Sequence, residues 1–178
     1  YEIYQCDWSS DVCSSDLRYR GPAPAALRGL DRNGRVLFAG SFSKVLHPAL
    51  RLGYLVVPEE LLGAFHRTHR LTSGGQPAFE QRIVATFMES GHFARHLRKM
   101  RLLYGERRAA LASALTDRFG EKAQFALEAG GLHLTVRFPD IDGDSVLVRS
   151  AETKGLAPAA LSAHALGHDC GQALLLNF

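Results

Sequence analysis

The sequence predicts an α/β protein whose first part is a mixed or parallel sheet with helices and whose second part is a smaller α+β domain. Three observations carry this. Two short apolar runs, residues 35–39 and 51–57, flank a loop as a pair of core strands would. Three helical stretches follow between residues 58 and 119, the last of them long. Beyond them, Leu132, Leu134, Val136 and Phe138 alternate with His133, Thr135 and Arg137, the pattern of a strand with one wet face. At 178 residues, 46% hydrophobic and 22% charged, the chain has length and composition for one large or two small cores.

The elements can be taken in order. Residues 1–17 contain no alanine, glycine or arginine, yet hold two of the three cysteines, the only tryptophan and four acidic residues. No helical or strand period runs through them. They read as a segment foreign to the rest, disordered or artefactual, or as an exposed acidic tail. The first strand ends before Gly40 and the second is closed by Pro58. Pro58-Glu59-Glu60 then starts a helix, with proline in the first turn and carboxylates at the positive end of the dipole. Leu61, Leu62, Phe65 and Leu71 form its apolar face, and residues 73–76 break it. Pro77 starts the next helix, with Ile83, Val84 and Phe87 inward and Ser90-Gly91 as its stop.

The long helix is expected over residues 92–119, where Phe93, Leu97, Met100, Tyr104, Leu111 and Leu115 recur at helical spacing. Arg95, Arg98, Lys99, Arg101, Arg107 and Arg108 read as its solvated face rather than a nucleic-acid surface. Asp144 is placed to cap a short helix through Lys154, stopped by Gly155. The run Ala173-Leu174-Leu175-Leu176-Asn177-Phe178 reads as a core strand.

Composition excludes several classes. No apolar stretch is long enough to span a bilayer as a helix, and no signal peptide is visible, so a cytoplasmic location is expected. Three cysteines do not suggest a disulfide framework. A net charge of +3 does not argue for nucleic-acid binding. His164, His168 and Cys170 have metal-like chemistry, but Gly167 weakens a helix there and no second ligand cluster accompanies them, so no metal site is expected. His47 either lines a pocket beside the loop or lies on its surface; His66 and His69 read as structural or solvent-facing.

The loop between the first two strands carries the chemistry. Lys44 is one of only four lysines beside seventeen arginines. Ser41 and Ser43 precede it, and Arg51 follows seven positions on. A primary amine condenses with an aldehyde, whereas a guanidinium does not. Hydroxyls and an arginine are what a phosphate-bearing aldehyde needs around it. The set points to pyridoxal phosphate.

Arg18-Tyr19-Arg20-Gly21, the run of residues 40–54 and the stretch of residues 87–101 together resemble fold-type I, aspartate-aminotransferase-like enzymes. Within them the chain is most similar to the aminotransferase-like domain of MocR regulators of the GntR type and their free-standing aminotransferase relatives. The resemblance runs over residues 18–178. It implies that residues 18–91 are a remnant of the large cofactor-binding domain. Residues 92–178 would be the bridging helix and a truncated small domain.

It also implies site roles. Lys44 would form the Schiff base with the cofactor aldehyde and shuttle a proton, with its amine kept neutral for part of the cycle by nearby positive charge and partial desolvation. Ser41 and Arg51 match the phosphate-cup positions, with Ser43 beside them. In the family the segment before Arg-Tyr-Arg-Gly supplies an aspartate to the pyridine nitrogen and a tyrosine to the phenolic oxygen. Aligned without gaps, these fall on Asp11 and Cys13, so the tyrosine is missing. An arginine that grips the substrate carboxylate in many relatives is absent from Leu174-Leu175-Leu176.

Three functional readings stay open at this point. One is an aminotransferase moving an amino group between an amino acid and a 2-oxo acid. Another is a regulator domain that senses an amino-acid-like effector through the same lysine, with DNA bound only by an upstream domain absent from this chain. The last is an incomplete fragment without activity of its own. The full-length parent is expected to be a homodimer, and the fragment to expose apolar surface.

Overall fold

The computed structural model describes residues 17–22, 26–72, 78–141 and 143–178. Its chain divides into two compact units, Tyr1–Lys99 and Met100–Phe178, each taken by itself below.

In the first unit a short helix, α1 (Leu27–Leu30), leads to Asp31, whose carboxylate accepts the backbone N–H groups of Asn33 (2.9 Å), Arg35 (2.7 Å) and Val36 (2.8 Å). The Val36 amide does most to hold this carboxyl below its usual range, followed by the Asn33 amide; Arg35 and the Arg28 guanidinium at 3.6 Å add to it. This collar of bonds corrects the expected strand start. Residues 35 and 36 spend their donors closing a loop, so the first strand, β1, is Phe38–Ser41. It pairs antiparallel with β2 (Gly53–Val56), in the register Phe38 to Val56 and Ser41 to Gly53.

β2 also starts later than the apolar run suggests. Arg51 adopts φ 50°, a left-handed conformation that interrupts extended backbone before the strand. Neither strand is a core strand among the described residues. β1 is half-buried, and Tyr54, Leu55 and Val56 of β2 are all exposed, because each strand pairs only with the other. Burial comes instead from the connecting loop, through Phe42, Val45 and Leu52. Gly40 faces Tyr54 across the ladder, and any Cβ there would collide with the Tyr54 ring. The absent side chain lets that ring reach Phe42 at 5.5 Å and Phe38 at 6.0 Å between centroids.

Helix α2 (Glu59–Thr72) begins as expected after a buried Pro58. Its apolar face is not covered by described residues: Leu61, Leu62 and Leu71 are exposed and only Phe65 is half-buried. Helix α3 (Ala78–Glu89) buries Val84 and half-buries Phe87, but leaves Ile83 exposed. Ser90 ends it by donating its hydroxyl to the Thr86 carbonyl (2.8 Å), and Gly91 follows with φ 73°.

Helix α4 (His92–Phe119) has the limits and the stripe expected of it. Phe93, Leu97, Met100, Tyr104 and Leu111 are half-buried and Leu115 is buried. The boundary between the two units falls inside this helix. Arg108 departs from the expectation of a wholly solvated basic face. It is buried, and its Nη1 donates to the Glu128 carbonyl. The loop carbonyl gives the buried guanidinium an acceptor in place of water.

The second unit is built on a four-stranded antiparallel sheet of β3 (Gln124–Phe125), β4 (His133–Arg137), β5 (Ala159–Ala160) and β6 (Leu174–Asn177), in the order β3-β4-β6-β5. β4 alternates as its sequence predicts, with Leu134 and Val136 buried and His133, Thr135 and Arg137 exposed. These two join Leu115 and Ala123 in the core, with Phe125, Phe138, Leu176 and Phe178 around them.

Helix α5 (Asp144–Glu152) stops short of Lys154. Asp144 is not its N-cap; Gly143 is, without a side-chain bond. The buried Asp144 carboxylate instead accepts the Ser162 hydroxyl (2.5 Å), the Ser162 N–H (2.9 Å) and the Ala173 N–H (3.2 Å). It thereby ties α5 to the chain on both sides of the 168 turn. No helix among the described residues is long and apolar enough to cross a membrane.

Candidate cofactor site

The site begins where the β1 ladder gives out. Beyond the Ser41–Gly53 pair, Phe42 N–H donates to the Leu52 carbonyl (3.1 Å), extending the hairpin by one step. Residues 43–46 then form a turn closed by Leu46 N–H on the Phe42 carbonyl (2.8 Å). Lys44 lies in this turn between two buried residues, Phe42 and Val45. Its neighbours are driven inward by burial, which leaves Lys44 pointing to the exposed side.

Ser41 and Ser43 are brought together: the Ser43 N–H donates to Ser41 Oγ (3.2 Å), leaving the Ser41 hydroxyl proton available. His47 does not line a pocket. Its Nδ1 accepts the Ala49 N–H (3.1 Å) and caps the short 3-10 helix Pro48–Leu50. Arg51 follows that helix, its N–H donating to the Pro48 carbonyl (3.3 Å). Arg51 directly precedes Leu52, the residue whose carbonyl closes the hairpin on Phe42, so it lies at the same end of the hairpin as Ser41 and Ser43. Both cationic side chains, Lys44 and Arg51, are exposed, and neither has a hydrogen-bond or ion-pair partner among the described residues. The desolvation expected around Lys44 is therefore not supplied by those residues. Asp11 lies outside the described residues.

Two groups were not anticipated as part of this site. His96 on α4 makes a 2.8 Å hydrogen bond to the Val45 carbonyl, next to Lys44 in the chain. Phe93, one turn earlier, meets Phe42 edge-on at 6.1 Å. Helical spacing marks both as facing the same way, but nothing in sequence says which loop they meet. Elsewhere, His164, His168 and Cys170 are exposed, and no cluster of three metal-ligating side chains forms among the described residues.

The donor set suits a phosphate-bearing aldehyde. It offers one primary amine, two hydroxyls and one guanidinium on a loop anchored by buried neighbours, with both cations exposed and unpartnered among the described residues.

Comparison with known proteins agrees with this chemistry. The sequence pattern of aminotransferases of class I and II matches residues 11–144, and the chain belongs to that family. The fold is the aspartate-aminotransferase-like, fold-type I architecture, a family that depends on pyridoxal phosphate. A probable rhizopine catabolism regulatory protein, MocR, of Rhizobium meliloti is 36% identical over 152 residues, which are 85% of this chain and 31% of that protein. Aromatic-amino-acid aminotransferase 1 of Thermococcus litoralis is 25% identical over 163 residues, 92% of this chain and 39% of that enzyme. The kynurenine aminotransferase of Pyrococcus horikoshii, solved in complex with PMP, superposes with a TM-score of 0.80 at 27% identity, covering 92% of this chain and 41% of the enzyme. The chain thus spans between about a third and two fifths of the length of these relatives.

Proposed function

We propose that this chain is the lysine-bearing part of a pyridoxal-phosphate domain that transfers an amino group between an amino acid and a 2-oxo acid. One observation carries the reading: an amine and a guanidinium, neither partnered among the described residues, share a hairpin end with two hydroxyls, inside a chain of the aminotransferase family. When bound, the cofactor supplies an aldehyde for the amine and a conjugated ring that stabilises negative charge at the substrate α-carbon.

The residues divide the work. Lys44 Nζ is the attachment point and, once released, the base that takes and returns the α-proton. Ser41 Oγ and Arg51 hold the phosphate, Ser43 assists, and Asp11 is the candidate partner of the pyridine nitrogen. The remaining walls, including those that exclude water from Lys44, belong to the rest of the family fold and to a partner subunit in a homodimer.

A second reading is favoured by the 36% identity to the rhizopine regulator. In it the same lysine and cofactor sense an amino-acid-like effector, and DNA is bound by a separate domain. Adding an amino acid together with a 2-oxo acid acceptor to cofactor-loaded protein separates the two. Amino transfer gives a 2-oxo acid in steady turnover, whereas sensing gives a spectral change without turnover.

Arg51 yields a prediction of its own. A non-glycine residue in the left-handed region costs about 1 kcal/mol. Arg51→Gly is therefore expected to be about 1 kcal/mol more stable than Arg51→Ala in urea unfolding. Both variants should bind pyridoxal phosphate at least about tenfold more weakly than the parent. Unchanged cofactor affinity in both would remove Arg51 from the phosphate site, and equal stability of the pair would deny the backbone strain.

A further inference from the structure

We infer that His96 is a positioning residue for Lys44, acting through the backbone of the lysine turn; its bearing on the cofactor rests on the reading just proposed. The contact joins residues 51 positions apart: His96 on the second turn of α4 and the Val45 carbonyl, at 2.8 Å. A carbonyl only accepts, so Nε2 carries the proton and donates, in the neutral ring or the cation alike. The bond does not depend on the protonation state of the imidazole.

The geometry around the bond makes it a constraint rather than a surface contact. The Val45 side chain is 3% exposed, so its backbone cannot swing outward without unburying the side chain. The His96 ring is half-buried and set edge-on to Phe87 at 6.4 Å, which limits its rotation. On the other side of Lys44, Phe42 is 8% exposed and meets Phe93 of the same helix. Lys44 is therefore flanked by two anchors, both fastened to the first two turns of α4. One anchor is apolar and tolerant of sliding. The other is a directional hydrogen bond, and it sets the orientation of the Val45–Leu46 peptide, one residue past Lys44.

The turn needs such a fastener. Its own closure is a single bond, Leu46 N–H to the Phe42 carbonyl, and the Lys44 side chain has no partner among the described residues to hold it. Misplacing a reacting amine by about 1 Å lowers reaction rates by about a hundredfold. A hydrogen bond one residue away is the nearest device this chain has against such drift.

Two measurements on the full chain test the assignment. The first is hydrogen exchange at residues 43–46, which needs no cofactor. His96→Ala should raise exchange at the Leu46 amide about tenfold or more, and His96→Gln, whose amide can still donate, should restore most of the protection. The second is borohydride trapping of pyridoxal phosphate on Lys44, which should fall about tenfold in His96→Ala and recover in His96→Gln. Val84→Ala is the control, because it opens a cavity in the same unit at a residue that makes neither the His96 hydrogen bond nor the ring contacts of the turn. The inference is overturned if Val84→Ala produces the same changes as His96→Ala, or if His96→Ala leaves exchange at the turn unaltered. An exchange effect together with no trapping on Lys44 in the full-length protein would uphold the tether and sink the cofactor reading of Lys44.

Discussion

Replacing Lys44 with alanine is expected to abolish borohydride-reducible attachment of pyridoxal phosphate and to lower amino transfer by about a thousandfold or more in the full-length protein. The physical basis is that no other group at the hairpin end can substitute. Ser41 and Ser43 offer hydroxyls, Arg51 a guanidinium that does not condense with aldehydes, and the remaining lysines, at positions 99, 122 and 154, lie elsewhere in the chain. Folding should be unaffected, because the side chain is exposed and makes no hydrogen bond or ion pair with described residues. Lys44→Arg serves as the companion variant, since it keeps the charge but not the nucleophile. Retention of the attachment in Lys44→Ala, checked by peptide mapping after reduction, would place the cofactor on a different lysine.

The largest effect on stability is expected at Asp144. Its removal leaves the Ser162 N–H, the Ser162 hydroxyl and the buried Ala173 N–H without their acceptor. Asp144→Ala should lower the unfolding free energy of the second unit by about 3 kcal/mol, and Asp144→Asn by about half as much. The stabilisation should also depend on pH. Burial by itself raises the pKa of this carboxyl, but the Ser162 hydroxyl, the Ser162 and Ala173 amides and the Ser145 amide outweigh it, so the pKa is lowered. A folded-state pKa below the unfolded one means the contribution is complete above the unfolded value, about 3.9, and is lost as pH falls through the lowered value. Urea unfolding of the parent and of Asp144→Asn should therefore differ most near neutrality, and the gap should close in strong acid. A gap that persists unchanged at low pH would mean that charge has no part in the clamp.

These two residues show what a sequence reveals and what it conceals. Lys44 stands out as a candidate in the sequence because its chemistry is local: amine, hydroxyls and guanidinium lie within eleven consecutive residues. The limits of α4 and the alternation of β4 were legible for a similar reason, since both are periodic patterns read over adjacent turns or residue pairs. Asp144 was found but misread. Its position before an apolar run suggests a cap, and its real partners come from residues 162 and 173. Arg108 was taken for solvent-facing because a basic residue on a periodic helix usually is, and the carbonyl that draws it inward is twenty positions away. The strand starts shifted because Asp31 takes amides that an apolar run would otherwise lend to the ladder, and because Arg51 is left-handed. His96 was unreadable as a site residue, since its meaning lies wholly in a contact across 51 positions.

The strand order of the second unit has a consequence for how the polypeptide is made. β4 and β5 never touch; each pairs with β6, which comes last of the four along the chain. Until β6 is made, the backbone of β4 has no partner on that side of the ladder, and Leu134 and Val136 lack the cover of Leu176 and Phe178, a state in which chaperones and neighbouring nascent chains compete for them. The β3–β4 pair is available earlier, but completion of the sheet must wait for Leu174 to Asn177 to emerge, so the unit is expected to acquire its full order late.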